Sequence, residues 1–139
     1  MCQGVISPNL FLSSIIDLVS MDELNYAVIG CAMKVHGTIG CGFSELVYAR
    51  CMAIELDASR INFEQEKQID IFYNGLWVGS QRADFLIEDS LIVELKARFE
   101  LEKIHLIQTK NYLSAFDKPL GLLLNFGSAS LEYKLVFKR

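Results

Sequence analysis

At 139 residues, with 52% hydrophobic and 22% charged side chains, the chain has the composition of one globular domain with a substantial core, which excludes a disordered or low-complexity polymer. Its formal net charge of −4 gives no basic footprint of a general nucleic-acid binder, although a bound metal ion would change the charge locally. No apolar run of about 18 residues occurs, which excludes a transmembrane helix.

In chain order, residues 1–20 are apolar around Phe11-Leu12 and Ile15-Ile16 but carry no Lys or Arg, unlike a secretory signal. They read as an N-terminal extension, with the main domain spanning residues 21–139. Asp22 is the expected N-cap of a first helix through about Val35, with Leu24, Ala27, Val28, Cys31 and Val35 on its buried face. Gly37, Gly40 and Gly42 then break the helix. No strand precedes them, so a dinucleotide-binding loop is a poor reading. A second helix is predicted from about Phe43 to Ala58. Leu46, Val47, Cys51, Ile54 and Leu56 supply its apolar residues, and Glu45, Tyr48 and Met52 share another face. Cys2, Cys31, Cys41 and Cys51 are too far apart for a zinc knuckle and read as buried or half-buried thiols of a reducing cytoplasm.

Phe63 to Tyr73 alternates as a strand, and Asn74-Gly75 is a hairpin turn signal leading to Leu76-Trp77-Val78. Tyr73 and Trp77 flank the turn and are expected in the core. Next come two apolar strands around the polar turn Glu88-Asp89-Ser90. A turn centred on Asp89 puts Asp84 opposite Glu94, and the two-residue repeat puts Glu94 and Lys96 on one face. Two carboxylates so placed repel unless something positive lies between them. A divalent cation beside Lys96 satisfies that need; an ordinary surface ion pair is the plain alternative.

A third helix is predicted from Glu100 to about Phe116. Its apolar stripe is Leu101, Ile104, Ile107 and Leu113, and its polar stripe is His105, Gln108 and Tyr112. Lys118-Pro119 stops it. Leu120 to Phe126 reads as a buried strand, parallel to the Leu91 strand because a helix separates them. Leu131 to Phe137 reads as an edge strand. The order is therefore α/β (α+β): helices, an antiparallel meander, a crossover helix and further strands in one mixed sheet.

With Asp84, Glu94 and Lys96 on the meander, this order resembles the restriction-endonuclease-like core of the PD-(D/E)xK nucleases, with Ala83 where the motif name has Pro. Gly42-Phe43-Ser44-Glu45-Leu46-Val47-Tyr48 is similar to the motif of the small GxxExxY family. Gln108-Thr109-Lys110-Asn111-Tyr112 is similar to the QxxxY helix of RecB-type exonucleases. The resemblance implies a nuclease dependent on Mg²⁺ or Mn²⁺. Asp84, Glu94 and the Leu95 carbonyl would be its metal ligands, Glu45 would hold a metal-bound water or a second ion, and Lys96 would act on the attacking water or the phosphate. Gln108 and Tyr112 would assist, with Tyr48, Arg82, His105 and Lys110 as candidate substrate contacts and Arg98 as a further phosphate contact. The expected partner is nucleic acid, DNA in repair or defence, with a homodimer allowed and no membrane. The alternative is a non-catalytic domain of the same fold that binds nucleic acid or protein, or dimerises.

Overall fold

A computed structural model describes the backbone of residues 8–138 and the side chains of residues 21–138. The chain runs α1 (Pro8–Ile39), α2 (Glu45–Ala58), β1 (Phe63–Tyr73), β2 (Leu76–Ile87), β3 (Leu91–Lys96), α3 (Lys103–Phe116), β4 (Leu120–Asn125) and β5 (Glu132–Phe137). α1 passes through residues 20 and 21 without a break, so Asp22 lies inside a helix and not at its cap. Residues 9–29 contain neither Gly nor Pro, and a local capping signal does not stop a helix that nothing breaks. Residues 1–7 of the expected extension, with Cys2 among them, lie outside the described residues.

The strands form one sheet in the order β1-β2-β3-β4-β5. Every neighbouring pair is antiparallel except β3 and β4, which run parallel on either side of α3. Asn74 and Gly75 both take positive φ (51° and 78°), as the hairpin signal requires. β2 is a single strand of 12 residues where the sequence suggested two.

β3 and β4 lie at the centre, and all of Leu91–Leu95 and Leu120–Asn125 are buried. Helices α1 and α2 cover one face, packing Val28, Ala32, Tyr48, Met52 and Leu56 on Phe85, Val93, Leu95 and Leu124. α3 covers the other, packing Leu113 and Phe116 on Ala83, Leu86, Ile92 and Leu123. Each such aliphatic or aromatic side chain contributes roughly 1.5–3 kcal/mol by leaving water. Gly121 of β4 lets α3 sit close, since a Cβ there would come within 3.2 Å of Leu113 and Thr109.

Four expectations about faces are corrected. α2 buries Tyr48, Met52 and Leu56, and leaves Leu46 and Ile54 exposed. Its inward stripe is the i, i+4, i+8 row, which carries the larger side chains. α3 buries His105, Thr109, Leu113 and Phe116, and leaves Ile104 and Ile107 exposed. Its N-terminus fixes that rotation: the Glu102 backbone N–H donates to His105 Nδ1 at 3.0 Å. Tyr73 and Trp77 are exposed and not in the core, because the end of the β1–β2 hairpin has no layer over it. Cys41 is exposed, whereas Cys31 and Cys51 are buried and half-buried.

The segment after β3 is pinned by β4. Fully buried Asn125 accepts from Arg98 N–H (2.9 Å) and Gly127 N–H (3.2 Å), and its amide donates to Arg98 C=O (2.9 Å) and Glu132 Oε1 (2.7 Å). Phe126 N–H donates to Lys96 C=O at 2.8 Å. A Cβ at Gly127 would fall 2.3 Å from Arg98 O, so only glycine lets the two chain segments touch.

Asn125→Ala leaves three part-buried backbone groups of Arg98 and Gly127 without their partner, and the expected loss is about 3 kcal/mol. A thermal melt should then show Tm lower by roughly 10 °C. A change within about 2 °C would mean that this clamp does not hold the segment.

Candidate active site

The ladder between β2 and β3 stops early. Its pairs are Ile87↔Leu91, Leu86↔Ile92 and Phe85↔Val93. One step further stand Asp84 and Glu94, and there side chains replace the backbone bonds. Asp84 N–H donates to Glu94 Oε1 at 3.1 Å, and Leu95 N–H donates to Asp84 Oδ2 at 2.7 Å. The strands part at this point and the two carboxylates fill the opening. Alternation along β2 breaks at the same place, since Ala83 packs under α3 while Phe85, two residues on, packs under α1 and α2. Across on β1, Glu66 takes a left-handed φ of 51° between the pairs Gln65↔Phe85 and Lys67↔Ala83. Asp84 therefore sits where the sheet is open from one face to the other.

The electrostatics follow from that burial. Glu94 is 7% exposed. Desolvation, reinforced by the Asp84 charge, pushes its carboxyl up to about 9, against the pull of Asp84 N–H and Lys96. Asp84 is also raised, by burial first, with Leu95 N–H opposing and Glu45 adding repulsion. Without a cation, burial and mutual repulsion both favour a proton shared by the pair over two ionised carboxylates.

Lys96 is half-buried two residues beyond Glu94 on the same strand face, and its charge lowers the pKa of both carboxyls. With Gln108, Asn111 and Tyr112 it lines a cleft of about 740 Å³ between α3 and the β1–β2 hairpin. The Tyr112 phenol is raised, by burial first and then by Glu94 and Asp84. It therefore stays neutral and able to donate. Asp84 and the Leu95 residue line a second cleft of about 460 Å³ with Glu45, Ala49, Arg50 and Gln65. Glu45 opens α2 behind the N-cap Ser44 and is exposed.

The structure thus brings Asp84, Glu94 and Lys96 together, with Tyr112 and Gln108 on one side and Glu45 on the other. The four expected substrate contacts are placed elsewhere. Tyr48 is fully buried, stacked on Phe126 with ring centroids 4.6 Å apart. Its hydroxyl donates to Gly40 C=O and accepts from Phe43 N–H, so it braces the loop that carries Glu45. His105 is buried at the start of α3; burial, with Lys96 and Arg98 nearby, keeps its pKa low. Arg82 is exposed on β2, Lys110 is half-exposed on α3, and neither lines the two clefts. Sequence reasoning missed Arg50 and Asn111. Asn111 lies three residues after Gln108, and that helical spacing was its available signal.

Among the described residues, no group of three His, Cys, Asp or Glu is gathered at ligand range. One buried and one half-buried carboxylate set against each other still suit Mg²⁺ or Mn²⁺, since such ions are held by one or two carboxylates with waters completing the shell. Neither cleft is lined by His or Cys, which does not suit zinc.

A sequence model of the PD-(D/E)XK nuclease superfamily matches residues 22–138. No curated protein matches the chain in sequence. Among solved structures, the crystal structure of SSO0001 is similar with a TM-score of 0.55 and 20% identity over 66% of this chain and 48% of that one. The alkaline exonuclease LHK-Exo from Laribacter hongkongensis has a TM-score of 0.48 and 10% identity over 67% of this chain and 54% of its own. The chain spans about half the length of these structures.

A pH prediction follows for metal-free protein. Glu94 has a folded pKa above its unfolded value, so its contribution to stability is full below about 4.5 and is lost as pH rises toward about 9. In chelator, the Tm of wild type should fall relative to Glu94→Gln across that window, and added Mn²⁺ should restore the wild type most at high pH. Parallel Tm curves for the two proteins would contradict this.

Proposed function

We infer that this chain, which belongs to the PD-(D/E)XK nuclease superfamily, is a metal-dependent nuclease that hydrolyses phosphodiester bonds, with DNA as its substrate. The observation that carries this reading is the clasp of Asp84 and Glu94 in the opening of the sheet with Lys96 beside it. Nucleases of this superfamily generally use divalent metals, and the motif likenesses of residues 42–48 and 108–112 support a GxxExxY-type member with a QxxxY helix.

Asp84 and Glu94 would hold Mg²⁺ or Mn²⁺, with the Leu95 carbonyl as a further donor, and the ion would supply a Lewis acid and a water of lowered pKa. Lys96 adds a compact positive charge on the side of the larger cleft. It orients the attacking water or faces the charge that develops on the phosphate. Tyr112 stays protonated and donates to a phosphate oxygen, while Gln108 one turn earlier holds the adjacent backbone. Glu45, across the smaller cleft, accepts from a water on the Asp84 side. Arg50 lines that cleft as a cation for the flanking phosphate. Repair or defence against foreign DNA, and a homodimer, are compatible roles for such a domain.

Asp84→Asn and Lys96→Ala test the reading, since each keeps the shape of the core. Each should lower Mg²⁺- or Mn²⁺-dependent cleavage of plasmid and oligonucleotide DNA by at least about 100-fold, with Tm within a few degrees of wild type. Cleavage that persists in both variants, or in excess chelator, would overturn the assignment.

A further inference from the structure

The β1–β2 hairpin extends past the point where β2 leaves β3, and its end carries an exposed apolar surface. The ten residues from Ile71 to Ser80 include no charged side chain. Within them Phe72 and Trp77 are each 61% exposed. These two are register partners across the hairpin, so their rings stand on the same face of the ribbon. Trp77 Nε1–H donates to Asp70 Oδ1 at 3.1 Å, which fixes the indole across the strand pair. Asp70 and Phe72 belong to the wall of the cleft whose other side is α3 and whose lining includes Lys96. An aromatic platform therefore leads into the cleft that holds the lysine.

We propose that this hairpin face is a stacking platform for unpaired bases, and that the cleft takes single-stranded nucleic acid. The inference rests on the reading of Lys96 as the residue that meets the scissile phosphate, and it adds the form of the substrate. Three features select a single strand. A duplex is held through rows of Lys and Arg on its phosphates. This cleft has one lysine, one aspartate, and otherwise amides, hydroxyls, rings and the aliphatic Ile71 and Ala115, in a protein of net charge −4. Aromatic rings bind base faces, and those faces are covered in a duplex and open in a single strand. The amide heads of Gln81, Gln108 and Asn111, all exposed at the cleft, suit base edges that are free only when unpaired. At about 740 Å³ the cleft has the dimensions of a ligand pocket and accepts one strand of a few nucleotides. Continuity of the platform with the Lys96 cleft favours this occupant over a second copy of the chain.

Trp77 is the only tryptophan, so its emission reports on the platform directly. The test titrates full-length protein, in chelator and at low salt, with a 12-nucleotide oligothymidylate and separately with a 12-base-pair duplex. The expected result is saturable quenching by the single strand and little by the duplex. Phe72→Ala should weaken single-strand binding about tenfold, within the range expected for loss of one stacking ring. Equal or stronger quenching by the duplex, or no change with the single strand, would overturn the proposal. So would a wild-type dimer in sedimentation that Phe72→Ala dissociates while oligonucleotide affinity is unchanged, because the platform would then be a contact between copies. Binding is read without metal, so the two readings fail separately. Single-strand binding without any cleavage in Mg²⁺ or Mn²⁺ removes the nuclease and keeps the platform. Cleavage with unaltered affinity in Phe72→Ala removes the platform alone.

Discussion

Two carboxylates held against each other inside a sheet are the constraint on which the rest of this molecule depends. Burial alone disfavours their charge, and their proximity disfavours it again. The protein sets them there by ending the β2–β3 ladder one residue early and giving each carboxylate a backbone N–H from the facing strand. Such an arrangement favours a bound proton when no cation is present and offers a binding place for a hard cation when that proton leaves. Lys96 moderates the repulsion without pairing closely enough to abolish it, since Glu94 remains pushed up to about 9.

The surrounding fold keeps this opening in shape. Asn125 and Gly127 lock the chain directly after Lys96. Tyr48, packed on Phe126, ties the loop before α2 to the same region and so places Glu45 opposite Asp84. Gly121 brings α3 close to β4 and with it Gln108 and Tyr112. The braces are made by uncharged side chains and backbone, with the Glu132 carboxylate accepting from Asn125 as the one charged partner. The charged groups they position are consequently few and concentrated in one place, which explains how an acidic protein can have a site suited to a polyanion once a cation is bound.

Much of this was legible in the sequence because it depends on short-range geometry. A turn centred on Asp89 puts Asp84 level with Glu94, and the two-residue strand repeat carries Glu94 and Lys96 to one face. The crossover through α3 makes β3 and β4 parallel. What was not legible depends on packing between distant elements. The inward faces of α2 and α3 are set by contacts with the sheet and by the His105 cap, and periodicity among several apolar residues does not single them out. Tyr48 reads as a motif residue in sequence, and only its partners Gly40 and Phe126 reveal a bracing role. The exposure of Phe72 and Trp77 arises from what is missing over the hairpin, and no local pattern encodes an absent neighbour.

The central claim is that Asp84 and Glu94 together bind a divalent cation. Crystals grown with Mn²⁺ and measured for its anomalous scattering test it most directly. The account predicts a peak in direct coordination distance of both carboxylates, with Lys96 beside it and the Asp84 N–H to Glu94 bond loosened. Metal-saturated crystals with no peak there, and with the two carboxyl groups still clasped to the facing backbone, would contradict it.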